Sequence, residues 1–188
     1  MRKRGVTLIE LLIVVALIGI LAGVGGISIK KQAESRAMLR VKNEIGDFFR
    51  VTAKRSQETG KKYAVNFDLA GKKIEISRNG KITDSLVLPN TFKYGIKWGL
   101  NFEQSFDCEM ESRGFLDKSF TIYVFKGTSG SGIGNDDEVK YAISFGFDDH
   151  IKYLHVREYL PVGTVTSKDI MDRDKSPGEN PDLKSIKD

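Results

Sequence analysis

The sequence predicts an α+β protein. A long N-terminal helix, transmembrane in its first half and amphipathic in its second, packs on an antiparallel β-sheet or β-sandwich domain. Three observations predict this. From Leu11 to Ile29 the chain is apolar and carries no charge, which meets the roughly 20 residues a helix needs to cross about 30 Å of hydrocarbon. From Ala37 to Thr52, apolar residues recur at spacings of three and four, the period of one buried helical stripe. From Tyr63 onward the period falls to two, with turn residues between short runs, the signature of hairpins.

Taken in order, the first element is the apolar run itself. Arg2, Lys3 and Arg4 precede it, so the positive-inside bias holds the N-terminus in the cytoplasm and sends the rest of the chain across the membrane. Glu10 is the one ionisable side chain between Val6 and Ile29. A carboxylate in a lipid-spanning helix costs on the order of 3 kcal/mol and is usually matched by a partner. Lys30 lies about 30 Å further along the helix at about 1.5 Å per residue, so the charge that answers Glu10 comes from outside the run. The alternative is an interfacial glutamate, stabilised by the helix N-terminal dipole. A secretory signal peptide has a core of about 7–15 apolar residues followed by an Ala-x-Ala-like site. Here the core is longer, and Gly23-Val24-Gly25 is the nearest approach to such a site.

The helix continues beyond the membrane. Ala37, Val41, Ile45, Phe48, Phe49 and Thr52 form the apolar stripe, while Lys42, Asn43, Asp47, Arg50 and Lys54 face elsewhere. Running from Val6 to about Arg55, it would span roughly 75 Å, with Phe48 and Phe49 packing on a sheet. Tyr63, Val65, Phe67 and Leu69 then alternate with polar residues. Ala70-Gly71-Lys72 and Asn79-Gly80 supply turns, the latter because Asn-Gly readily adopts positive φ. Further strands are expected at 86–88, 92–98, 106–111, 120–125, 139–145 and 151–156, about eight in all, in one sheet or two packed sheets. The segment 161–188 is mixed in charge with Pro177 and Pro181 and reads as a polar mobile tail.

Gly5, then Val6-Thr7-Leu8-Ile9-Glu10, then the apolar run to Ala22 closely resembles the leader region of type IV pilins and pseudopilins. The resemblance implies a leader over residues 1–5 and cleavage between Gly5 and Val6 by prepilin peptidase. It also implies N-methylation at Val6 and a role for Glu10 in assembly, meeting the amine of an adjacent subunit. The family most often has Phe where this chain has Val6, and many members carry a kinking proline where this chain has Gly25-Gly26. The organisation that follows is leader 1–5, transmembrane helix 6–29, amphipathic helix 30–56, antiparallel β domain 57–160 and tail 161–188. More broadly, Gly60 with Tyr63 to Asp68, Leu86-Val87-Leu88-Pro89, Ser112 to Phe115, Phe120 to Val124 and Tyr141 to Phe145 resemble H-type minor pseudopilins of type II secretion and FimT-type minor pilins. The implied function is that of a structural subunit of a type IV filament or secretion pseudopilus. The implied partners are prepilin peptidase, other pilin or pseudopilin subunits and membrane lipid. The implied location is the inner or cytoplasmic membrane, single-pass, with the globular domain outside and in a filament.

Composition bounds the rest. A chain of 188 residues permits one anchor and one soluble domain of about 130 residues. The formal charge is +5 and falls to +2 once Arg2, Lys3 and Arg4 leave with the leader. Cys108 is the single cysteine, so no disulfide within the chain is available. His150 and His155 lack the further ligands of a zinc site, and Gly127 to Gly134 lacks the Gly-Lys-Ser/Thr ending of a phosphate loop. Asn135-Asp136-Asp137-Glu138 clusters oxygens without the alternating spacing of a calcium loop. Neither metal nor cofactor is expected, and with no catalytic constellation the chain does not read as an enzyme. DNA, which some FimT-type pilins bind, is the alternative partner. Phosphate contacts need clustered cations, whereas Lys61-Lys62, Lys72-Lys73, Lys152 and Arg157 are dispersed among acids.

Overall fold

The computed structural model describes residues 8–98, 101–127, 132–147, 154–172, 177 and 179–186, with backbone alone for 21–31, 98 and 147. The chain divides into two units, Met1–Leu39 and Arg40–Asp188. Helix α1 is Leu8–Thr59. In the second unit its buried residues are Val41, Ile45, Gly46, Phe49, Thr52, Ala53 and Ser56, a single stripe at helical spacing. Of the expected stripe, Ala37 and Phe48 are only half-buried. Gly60, with φ 62°, ends the helix in the left-handed conformation that glycine adopts without a Cβ penalty. The Ser56 hydroxyl lies 2.6 Å from the carbonyl oxygens of both Lys61 and Glu111, which ties the helix end to the β domain.

The strands are β1 (Tyr63–Asp68), β2 (Lys73–Arg78), β3 (Lys81–Val87), β4 (Phe92–Trp98), β5 (Asn101–Glu103), β6 (Ser105–Met110), β7 (Phe120–Lys126), β8 (Val139–Phe147), β9 (Leu154–Pro161) and β10 (Leu183–Ser185). A short helix, α2 (Ser167–Asp172), precedes β10. The two-sheet alternative is the one observed, with antiparallel orders β3-β2-β1-β6 and β10-β9-β8-β7-β4-β5. Asn79 and Gly80, at φ 50° and 74°, join the paired Arg78 and Lys81 in the two-residue hairpin turn their sequence predicts. The last of the expected eight strands runs on to Pro161, and its first expected residues, 151–153, lie outside the described residues.

Phe49 is where the helix meets both sheets. Its ring lies 5.9 Å from Phe67 of β1, 6.2 Å from Phe120 of β7 and 4.4 Å from Phe145 of β8. Phe106 of β6 closes the cluster at 5.8 Å from Phe67 and 5.2 Å from Phe120. Strands β1 and β2 alternate buried with less buried residues because sheet β3-β2-β1-β6 has one covered face. In β7, by contrast, Phe120 to Phe125 are all buried, so both faces of that strand are covered.

What covers the second face corrects the expectation of a mobile tail at 161–188. Val165, Ile170 and Leu183 pack on Tyr123, Phe125, Val139, Ala142 and Tyr159 in a second core. β10 pairs with β9, with Leu183 opposite Pro161. The Asp169 carboxylate accepts from the Thr166 amide at 2.8 Å and its hydroxyl at 2.7 Å, and the Asp169 amide donates to that hydroxyl at 3.3 Å, a reciprocal cap that starts α2. Lys97 reaches across to the Ile170 carbonyl at 3.1 Å. Ile170, 1% exposed, is therefore a core residue, and Ile170→Ala should cost about 2–5 kcal/mol. Thermal unfolding of the detergent-solubilised chain checks this; an unchanged melting temperature would restore the tail reading.

Candidate functional site

The first turns of α1 present an unusual surface. Between Leu8 and Ile20, ten large apolar side chains are each more than half exposed, from Leu8 at 81% to Val14 at 53%. They lie all round the helix, not on one stripe, and such a helix needs an apolar surrounding on every side. Glu10 stands among them in the first helical turn, exposed like its neighbours, where the amide dipoles favour a negative charge. Gly5 and Val6, the residues of the expected cleavage, lie outside the described residues, as do the side chains from 21 to 31 in the second part of the expected span. Among the described residues no helix is long and apolar enough to cross a membrane.

The other candidates from the sequence fall on the β domain. Cys108 is buried, and its thiol is pushed up to about 12, first by burial and then by the Asp117 carboxylate. Only the thiolate is nucleophilic, so the native chain should resist iodoacetamide at pH 8 and react once unfolded; mass spectrometry of the adduct reads this directly. His155 is exposed on β9 and accepts from Arg157 Nε at 3.2 Å, while His150 lies outside the described residues. Among the described residues no group of three histidine, cysteine or carboxylate side chains is placed to hold a metal. Two carboxylates of the acidic run are met by lysines. Asp137 is 2.9 Å from Lys93, and Glu138 is 2.5 Å from Lys140, whose hydrogen bond holds the Glu138 carboxyl below its usual range.

Of the described cations weighed for DNA, Lys61 is exposed, and the others are engaged or withdrawn. Lys62 bonds Glu111 at 2.8 Å and Glu109 at 3.0 Å, and Lys73 pairs with Glu75. Lys72 is only 4% exposed. It donates to the Phe92 carbonyl and sits 5.0 Å from the Tyr94 ring centroid, and burial lowers its pKa. Lys152 lies outside the described residues.

Residues 1–26 match the prokaryotic N-terminal methylation motif. The motif supports a type IV pilin-type N-terminal segment, of the kind that prepilin peptidase processes. No curated protein and no solved structure matches the chain. The matched segment holds Gly5, Val6 and Glu10 together with the first apolar turns of α1, so the motif and the all-round apolar helix coincide.

The sequence reading missed the contacts that organise the second face. Lys93 on β4 and Asp137, each less than one-fifth exposed, join residues 44 apart in sequence. The available signal was the unbroken apolar run from Phe120 to Phe125, which implies a strand covered on both faces.

Proposed function

We propose that this chain is a minor pilin or pseudopilin, a structural subunit of a type IV filament or a type II secretion pseudopilus with no catalytic role. The observation that carries the proposal is the methylation motif over residues 1–26 lying on a helix whose apolar side chains are exposed on all sides. Residues 6–29 serve as the membrane span, with the N-terminus cytoplasmic and the β domain outside. An apolar helix of this kind has two stable surroundings, lipid before assembly and neighbouring helices after it. Glu10 distinguishes them, because a carboxylate is costly in lipid and is answered in a filament by the freed Val6 amine of a neighbour.

N-terminal sequencing and intact mass of the membrane-extracted chain test this. The expected product lacks Met1 to Gly5 and begins at a methylated Val6. A mature chain starting near Gly25 or Gly26 would establish a secretory signal peptide and overturn the proposal.

A further inference from the structure

Among the described residues β3 is an outermost strand of its sheet, paired with β2 on one side only. The Leu88 amide donates to the Lys72 carbonyl at 2.8 Å just past the end of β3, and along an antiparallel pair the backbone groups alternate between partner and far side. Ser85 and Val87 therefore aim their amides and carbonyls at the open edge. The Ser85 amide is met there by the carboxylate of Asp84, the residue beside it, at 2.9 Å. Sheet edges are usually guarded by lysines, prolines or bulges. Here Lys81 stands at one end of β3, a register shift lies opposite Ile82 and Asp84, and Pro89 follows the other end. The stretch between them has only the Asp84 cap.

That stretch is apolar on both faces. Leu86 is paired with Ile74, itself paired with Phe67, whose ring stacks on Phe49, so Leu86 lies on the α1 side of the sheet. Ile74 is fully buried and Leu86 only half-buried; the cover that α1 gives is complete at β2 and ends at β3. A groove of about 350 Å³ opens there between α1 and β3, with Phe48, Val51 and Leu86 as its apolar members and Glu44, Asp47 and Asp84 among the others. Arg40, Arg50 and Arg55 lie 2.7, 3.0 and 3.6 Å from those three acids in turn, so each carboxylate already has its counter-charge. The groove thus suits apolar side chains. Val87 and Ile82 are paired with Lys73 and Ser77 and stand on the opposite face, 60% and 53% exposed. A helix laid in the groove would cover Leu86 and leave Val87, and a surface laid on the outer face would do the reverse. An extended strand meets both, because its successive side chains alternate between faces.

We propose that β3 is a docking edge for an extended segment of a different protein, which adds a fifth strand to this sheet through main-chain hydrogen bonds at Ser85 and Val87. Side chains on one side of the added strand enter the groove over Phe48, Val51 and Leu86, and those on the other cover Val87. The segment is therefore aliphatic or β-branched on both sides. Antiparallel pairing with the β3 of a second copy would place both α1 helices on the same side of the joined sheet. It would also bring that copy's Asp84, not an apolar side chain, to the groove. The inference concerns the β domain and stands apart from the subunit reading.

The test uses the full detergent-solubilised chain and, as probe, a short synthetic peptide of valine and threonine with a lysine at each end. Amide hydrogen exchange reports local opening, so exchange across β3 should slow about tenfold or more at saturating peptide. The same peptide N-methylated on its backbone amides keeps its side chains and loses its donors, and it should give no protection. Val87→Pro removes an outward amide at an edge position, where proline is tolerated. This variant should melt like the wild type and bind the peptide about tenfold more weakly or worse. Val51→Asp, at a side chain already 54% exposed, puts a charge in the groove and should also weaken binding, which keeps the test decisive if Val87→Pro does not fold. Equal protection by the N-methylated peptide, protection at β5 or β10 instead of β3, unchanged binding by the variants, or no protection would each overturn the inference. So would protection of β3 that rises with chain concentration alone, which would put a second copy at the edge.

Discussion

Phe49→Ala should lower the stability of the β domain by about 3–5 kcal/mol, the largest loss expected from any single truncation on α1. Phe49 is 0% exposed, and its ring touches Phe67 in one sheet and Phe120 and Phe145 in the other. Removing it therefore leaves a cavity at the junction of three elements that no one neighbour can fill by a rotamer change. Thermal unfolding of the detergent-solubilised chain, followed by far-ultraviolet circular dichroism, should show a midpoint lower by roughly 10 °C for a domain of this size. Val51→Ala is the control. Val51 lies two residues away on the same helix but is 54% exposed, and a substitution there should stay within about 0.5 kcal/mol. If the two variants melted together, the helix would not be the element that joins the sheets.

The fold was legible where one period held over several residues. In β1, Tyr63, Val65 and Phe67 alternate with exposed Ala64, Asn66 and Asp68 because that sheet has a single buried face, and the sequence shows the alternation directly. On α1, Val41, Ile45 and Phe49 are buried at intervals of four for the corresponding helical reason. The C-terminal cover was not legible. Its three core residues, Val165, Ile170 and Leu183, come from a loop, a helix of six residues and a strand of three, too short for any period to register among their polar neighbours. Composition averaged over such a segment reports solubility and hides the few residues that dock. Strand β7 held the missing half of the information, since a strand buried on both faces requires a second cover from somewhere in the chain.

The candidate site divides in the same way. Glu10 stands out from sequence because a lone carboxylate in an apolar run is chemically conspicuous without any structure. Lys72 misled, because a lysine after Ala70-Gly71 reads as a turn cation. The Asp68 carboxylate accepts from the Gly71 amide at 2.8 Å and the backbone turns to φ 61° at Lys72, which carries the side chain inward over Tyr94. A groove between α1 and β3, lined by Val51 and Leu86 among others, is invisible to any local pattern, since these residues meet only through the fold.

Glu10→Ala should leave membrane insertion and leader cleavage intact and should sharply reduce incorporation into filaments. In lipid, the substitution removes a charge whose burial costs on the order of 3 kcal/mol, so the membrane form gains stability or is unchanged. In an assembled filament, a carboxylate about 4 Å from the Val6 amine of a neighbour gains roughly 4 kcal/mol at an effective dielectric of 20, and the variant forfeits this while leaving the amine without its counter-charge. The two effects have the same sign for the assembly equilibrium, since one stabilises the starting state and the other destabilises the product. The measurement is the ratio of filament-associated to membrane-associated chain in cells with the full machinery, and it should fall by about tenfold or more. Glu10→Gln separates charge from polarity. A glutamine keeps a hydrogen-bonding group at the same place, so if the ion pair with the amine sets the register, Gln should behave like Ala. If Gln assembled like wild type, a neutral hydrogen bond would suffice and the charge pairing would be wrong. If Ala also assembled like wild type, Glu10 would be an interfacial residue held by the helix dipole alone, and assembly would have to draw its register from the β domain instead.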